Sequence, residues 1–153
     1  MERKDVSGTV LVLLLIGTLG LVFIVGWVGA SGTIYIRADG AVDPPSAPIS
    51  SVDNVTYTFT ANINDFIVVE RDNIVVDGVG YTVQGTGSGT GIDLSSRSNV
   101  TIKNMKIKDF FEGIYLVSSS RNEISGNNIT NPLFFSGSRN HLQSCSKGVL
   151  TPI

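Results

Sequence analysis

A repeat constrains this chain more than any other feature. Gly91-Ile92-Asp93-Leu94 returns as Gly113-Ile114-Tyr115-Leu116, and Ile102 and Ile107 return as Ile124 and Ile129. In each case the second copy follows 22 residues after the first (114 − 92, 124 − 102, 129 − 107). A fixed period of about 20–50 residues marks a solenoid, in which no unit buries its apolar residues alone and stacking supplies the core. The segments inside this repeat are short, rich in β-branched residues and separated by Gly, Asn and Ser. That pattern predicts strands and tight corners, since Gly and Asn accept left-handed backbone while Val, Ile and Thr suit a pleated surface.

Each unit holds three short strands. Ile67-Val68-Val69, Asn73 to Gly78 and Tyr81-Thr82-Val83 form the first set. Ile92 and Leu94, Val100 and Ile102, and Met105 and Ile107 mark the second; Ile114 and Leu116, Ile124 and Ile129 mark the third. Winding at the sheet spacing of about 4.8 Å would set Ile92 under Ile114, Leu94 under Leu116 and Ile102 under Ile124. Asn99, Asn104, Asn122, Asn127 and Asn128 fall at or near corners, where they read both as turn formers and as members of hydrogen-bonded ladders.

The flanks differ. Met1 to Asp5 is a charged head, and Val10 to Val28 is almost wholly apolar. About 18 or more apolar residues suffice to span a bilayer, whereas a signal peptide carries about 7–15. Residues 1–32 are therefore expected to be a membrane anchor or signal peptide, with secretion if cleavage occurs near Ala30. A buried core helix is disfavoured by the terminal position and the lack of a polar face. Arg3 and Lys4 would stay cytoplasmic and the chain after Ser31 would lie outside the cell or in the periplasm. Residues 33–64 lack the repeat and read as a cap, with Val55, Tyr57 and Phe59 alternating onto one face. Residues 65–131 carry the coils. Residues 132–153 read as an irregular tail, either an improvised cap or a solenoid cut short; Ser138-Arg139-Asn140 there echoes Ser120-Arg121-Asn122 at a spacing of 18 (138 − 120). An open solenoid end exposes strand edges and invites self-association.

These residues resemble the right-handed parallel β-helix superfamily, most nearly the NosD-like and pectin-lyase-like surface repeat proteins. The resemblance rests on Gly91 to Leu94, Ser98 to Asn104, and Gly113 to Leu116 through Ser118 to Ile129, with Asn73 to Tyr81 upstream. It implies an all-β, right-handed parallel β-helix of about three coils behind the N-terminal segment. It also implies exposed binding surfaces along the stacked sheets. Its members include polysaccharide lyases, glycoside hydrolases, surface and adhesive proteins and an accessory factor for copper insertion, so the fold leaves function open.

The chemistry-bearing residues narrow the choice. Net charge is −2, which does not fit a nucleic-acid footprint. Glycoside hydrolysis uses two positioned carboxyl groups, and the acids of the repeat form no tight cluster. Asp93 lies between inward Ile92 and Leu94 and so faces out, and Tyr115 takes its place one coil on. One histidine (His141) and one cysteine (Cys145) are too few for a soft-metal site or a nucleophile–base pair. The run Gly85 to Gly91 lacks the Lys of a phosphate-binding loop. No catalytic residue, metal ligand or cofactor is therefore assigned, and an enzyme is not expected. Asn54, Asn99 and Asn128 each open an Asn-x-Thr sequon and are the N-glycosylation candidates. Tyr115 is the candidate carbohydrate contact; Phe110 and Phe111 read first as a lid on the core. The reading is a membrane-anchored or secreted surface module with a structural, adhesive or carbohydrate-contact role. The alternatives are a fragment of a carbohydrate-active β-helix enzyme and a NosD-like accessory protein for copper-enzyme maturation.

Overall fold

The computed structural model describes residues 32–130 and the backbone of two further strands, 134–136 and 141–143. The expected membrane or signal segment lies outside the described residues, apart from Gly32. Among the described residues no helix is long and apolar enough to cross a membrane, and every regular element is a strand.

The strands run in order β1 (Thr33–Ile36), β2 (Val42–Asp43), β3 (Ile49–Ser50), β4 (Thr56–Phe59), β5 (Phe66–Val69), β6 (Val75–Asp77), β7 (Thr82–Gln84) and β8 (Thr90–Asp93). They continue with β9 (Thr101–Lys103), β10 (Lys106–Lys108), β11 (Glu112–Val117), β12 (Glu123–Ser125), β13 (Asn128–Ile129), β14 (Phe134–Ser136) and β15 (His141–Gln143). From β5 onward the chain visits three sheets in turn. The first sheet has the order β14-β11-β8-β5-β1-β2, the second β15-β12-β9-β6-β4-β3, and the third β13-β10-β7. All pairings are parallel except β1 with β2 and β3 with β4. The described residues are all-β with stacked parallel sheets, an arrangement compatible with a β-helix.

The stacking follows the 22-residue repeat. Ile92 pairs with Ile114, Ile102 with Ile124 and Ile107 with Ile129. Alternation puts Ile67, Ile92 and Ile114, and Val76, Ile102 and Ile124, into one buried core at 0% exposure. Burial of these side chains is the main favourable term, at about 1.5–3 kcal/mol each. The glycine that opens the motif has a packing cause. A Cβ on Gly91 would lie 2.6 Å from the Gly113 carbonyl oxygen and about 3 Å from the Phe110 ring.

Corners repeat as well. Asn73, Asn99 and Arg121 all have φ between 55° and 59° at one corner, and Ser96 and Ser118 have φ of 59° and 53° at another. Such left-handed backbone costs most residues energy but Asn little.

The non-repeating block at 33–64 supplies a capping layer that precedes the first repeating one. Ile34 pairs with Ile67, Tyr57 with Val76, and Ile63 bridges to Val83. Its two-residue antiparallel strands β2 and β3 cover the outer edges of the first and second sheets, which blocks pairing there with another chain. Tyr57 and Phe59 are buried as their alternation requires, but Val55 is 45% exposed. It precedes β4, directly after the left-handed Asn54, so the strand's alternation has not begun. Tyr57 donates from its hydroxyl to the Gly40 carbonyl at 2.8 Å, tying the block together. In the stretch read as an irregular tail, β14 and β15 continue the first and second sheets. Ile124 pairs with Leu142, at the spacing of 18 that the Ser-Arg-Asn echo carries.

Candidate functional site: the outer face of the first sheet

Strand alternation aims every second residue of the first sheet outward. One outward column runs Tyr35, Val68, Asp93, Tyr115, in direct register from layer to layer. Tyr35 and Tyr115 are three layers apart, on the order of 14 Å at the usual strand spacing. All four residues are half-buried.

A cleft of about 210 Å³ opens on this face, lined by Tyr35, Phe66, Val68, Gly89, Thr90 and Asp93 among others. Three local features create it. Phe66 leans on the buried Phe110, with ring centroids 5.9 Å apart. Gly89 leaves room, since a Cβ there would come within 2.7 Å of the Phe66 ring, and its φ of +70° suits only glycine readily. The Arg37 guanidinium stacks 4.0 Å over the Tyr35 ring and pairs with Glu70 and Asp43, which fixes the tyrosine. Those two carboxylates raise the Arg37 pKa, the Asp43 hydrogen bond acting most strongly.

The polar side of the cleft is acidic and hydroxylic. One carboxylate oxygen of Asp93 accepts from the Ser95 backbone N–H and hydroxyl. The Thr90 hydroxyl donates to Glu112 at 2.9 Å. An apolar floor, an oriented aromatic ring and a few acceptors can hold a neutral, hydroxyl-rich ligand.

The other sequence-selected residues fall elsewhere. Phe110 is 1% exposed and belongs to the core, whereas Phe111 is 64% exposed. Asn54, Asn99 and Asn128 are all exposed. The Asn99 amide donates to Asn73 at 2.9 Å, so the nitrogen a glycan would take is already engaged, whereas Asn128 sits on β13. Cys145 lies outside the described residues, and only the backbone of His141 is described. Among the described residues no group of three His, Cys, Asp or Glu side chains could hold a metal ion.

Sequence reasoning missed Tyr35 as a site residue because no repeat links it to Tyr115; only the stacked register of β1, β5, β8 and β11 joins them. It also left the corner asparagines undivided. Asn122 and Asn127 are buried, each accepting a backbone N–H from the layer below (Val100 and Met105) and donating to a carbonyl there (Arg97 and Ile102). Asn99 and Asn104 are exposed and left-handed. Comparison with known families, with characterised proteins and with solved structures finds no match.

Proposed function

We propose that this chain is a right-handed parallel β-helix of the NosD-like and pectin-lyase-like kind. The apolar N-terminal segment directs it to the cell envelope, and the first sheet presents its outer face to carbohydrate. The cleft beside Tyr35 carries this reading. A sugar ring stacks its C–H face on the tyrosine and the floor of Val68 and Phe66, and its hydroxyls donate to Asp93. The acidic side of the cleft favours a neutral saccharide.

A panel of neutral oligosaccharides against the full chain tests it. Binding is expected, weakened at least tenfold by Tyr35→Ala, which removes a half-exposed ring from outside the core. Failure of every glycan to bind, or binding indifferent to Tyr35→Ala, would overturn the reading. Release of reducing or unsaturated sugar would favour the enzyme instead. Self-association through the solenoid end carries its own test. Concentration-dependent sedimentation is expected, and a monodisperse monomer would contradict it.

A further inference from the structure

The third sheet differs in charge from the rest of this acidic chain. Its outward positions are Thr82 and Gln84 on β7, Lys106 and Lys108 on β10, and Asn128 on β13. None is a carboxylate. Lys106 sits in the ladder between Thr82 and Asn128, so the layers on either side bring it no acid. The four ion pairs among the described residues leave out both lysines, whereas Lys103, on the neighbouring sheet, is paired to Asp77 at 3.3 Å. Lys106 and Lys108 both face outward on one strand, about 7 Å apart along it.

Beside Lys106 lies a cleft of about 270 Å³, lined by Gly80, Asn104, Met105, Lys106, Gly126 and Asn128. A corner column explains it. Asp77 accepts from the Asn104 amide nitrogen at 3.2 Å, which turns the Asn104 amide oxygen the other way. The layer above has Gly126 there, and a Cβ on it would come within 2.9 Å of that oxygen. The ladder therefore ends in a bare amide acceptor at a glycine gap, next to an ammonium that has no acid partner among the described residues.

We propose that this cleft and the adjoining lysine pair bind an oxyanion carried on a hydroxylated ligand, the carboxylate or sulfate group of an acidic glycan. The anion meets Lys106 and Lys108, a neighbouring hydroxyl donates to the Asn104 oxygen, and Asn128 closes the upper side. The site is separate from the Tyr35 cleft and does not depend on it. Nucleic acid fits less well, because the cleft lining holds no aromatic ring for a base.

The test is a titration of the full chain with a uronic-acid oligomer, a sulfated oligosaccharide, a neutral oligosaccharide and single-stranded DNA, at low and high salt. Salt-sensitive binding of at least one acidic glycan is expected, and whichever binds identifies the anion. Lys106→Gln with Lys108→Gln should weaken it at least tenfold, because charge-assisted hydrogen bonds are the stronger class. Lys103→Gln and Tyr35→Ala should leave it within twofold, with circular dichroism confirming that each variant folds. Absence of binding to both acidic glycans, equal binding of DNA, or binding indifferent to the double lysine variant would overturn the proposal.

Discussion

The step from the second layer to the third and the step from the first to the second solve the same problem differently. Between the second and third, every sheet advances by 22 residues: Ile92 to Ile114, Ile102 to Ile124, Ile107 to Ile129. Between the first and second, the advance is 25 in the first sheet (Ile67 to Ile92), 26 in the second (Val76 to Ile102) and 24 in the third (Val83 to Ile107). The inward columns still align. What the fold holds constant is the match of buried side chains and the left-handed corner. The number of residues spent between them is free. The surplus of the first layer falls at Gly78-Val79-Gly80 and at Gly85 to Gly89, which are exposed apart from Gly78 and Gly85, as insertions in a stacked array should be.

The two steps also differ in how they fill the corner. Val100 and Met105 are apolar in the second layer, whereas Asn122 and Asn127 occupy the equivalent positions in the third. The amides are tolerated because each is paired to backbone on both its oxygen and its nitrogen. Making the third layer resemble the second is therefore expected to have the largest effect. Asn127→Met should cost about 2–4 kcal/mol, since the Met105 N–H and the Ile102 carbonyl lose their partner while buried. Urea denaturation measures it, and a loss under about 1 kcal/mol would mean that the corner is held by packing alone.

Gly91 tests the close approach of the layers. Gly91→Ala should cost about 1–3 kcal/mol, because its Cβ would meet the Gly113 carbonyl oxygen and the Phe110 ring, and a backbone oxygen cannot swing away. The same denaturation reads it. The longer corner offers an opposite result. Val79 is β-branched, 57% exposed and held at φ +48°, so Val79→Gly should stabilise by about 1 kcal/mol through relief of strain. A destabilised variant would show that Val79 packs usefully.

Acid should loosen the corners modestly. Desolvation raises the Asp77 pKa, but hydrogen bonds from the Val79 N–H, Asn104 and Lys103 outweigh it and hold the carboxyl below its ordinary value. The Thr56 and Val55 N–H groups do the same for the exposed Asp53. Both therefore bind protons less readily folded than unfolded. Their stabilisation is complete above the unfolded carboxyl value of about 3.9 and disappears as pH falls through the lower folded values. Melting temperature should be flat from pH 7 to about 5 and fall below about 4, less steeply in Asp77→Asn.

The contrast explains what could be read in the sequence. The repeat from Ile92 to Ile129 was legible because equal spacing and inward Ile and Leu report the same contact. The register of the capping layer was not, because β1 and β4 join the stack at steps unlike 22 and sit beside two-residue hairpin partners that carry no pattern. The corner asparagines were found but not sorted, since a left-handed Asn99 and a buried Asn122 have the same residue type and similar neighbours. At the candidate site Asp93 and Tyr115 were legible as outward residues. Tyr35 and the room left by Gly89 needed three-dimensional register, because the cleft joins segments that share no sequence signal.

Methyl NOE spectroscopy on the full chain, with isoleucine methyl groups labelled, tests the stacked register most directly. Cross-peaks are expected joining Ile67 to Ile92, Ile92 to Ile114, Ile102 to Ile124 and Ile107 to Ile129. Absence of these peaks, or isoleucine contacts following any other set of spacings, would contradict it.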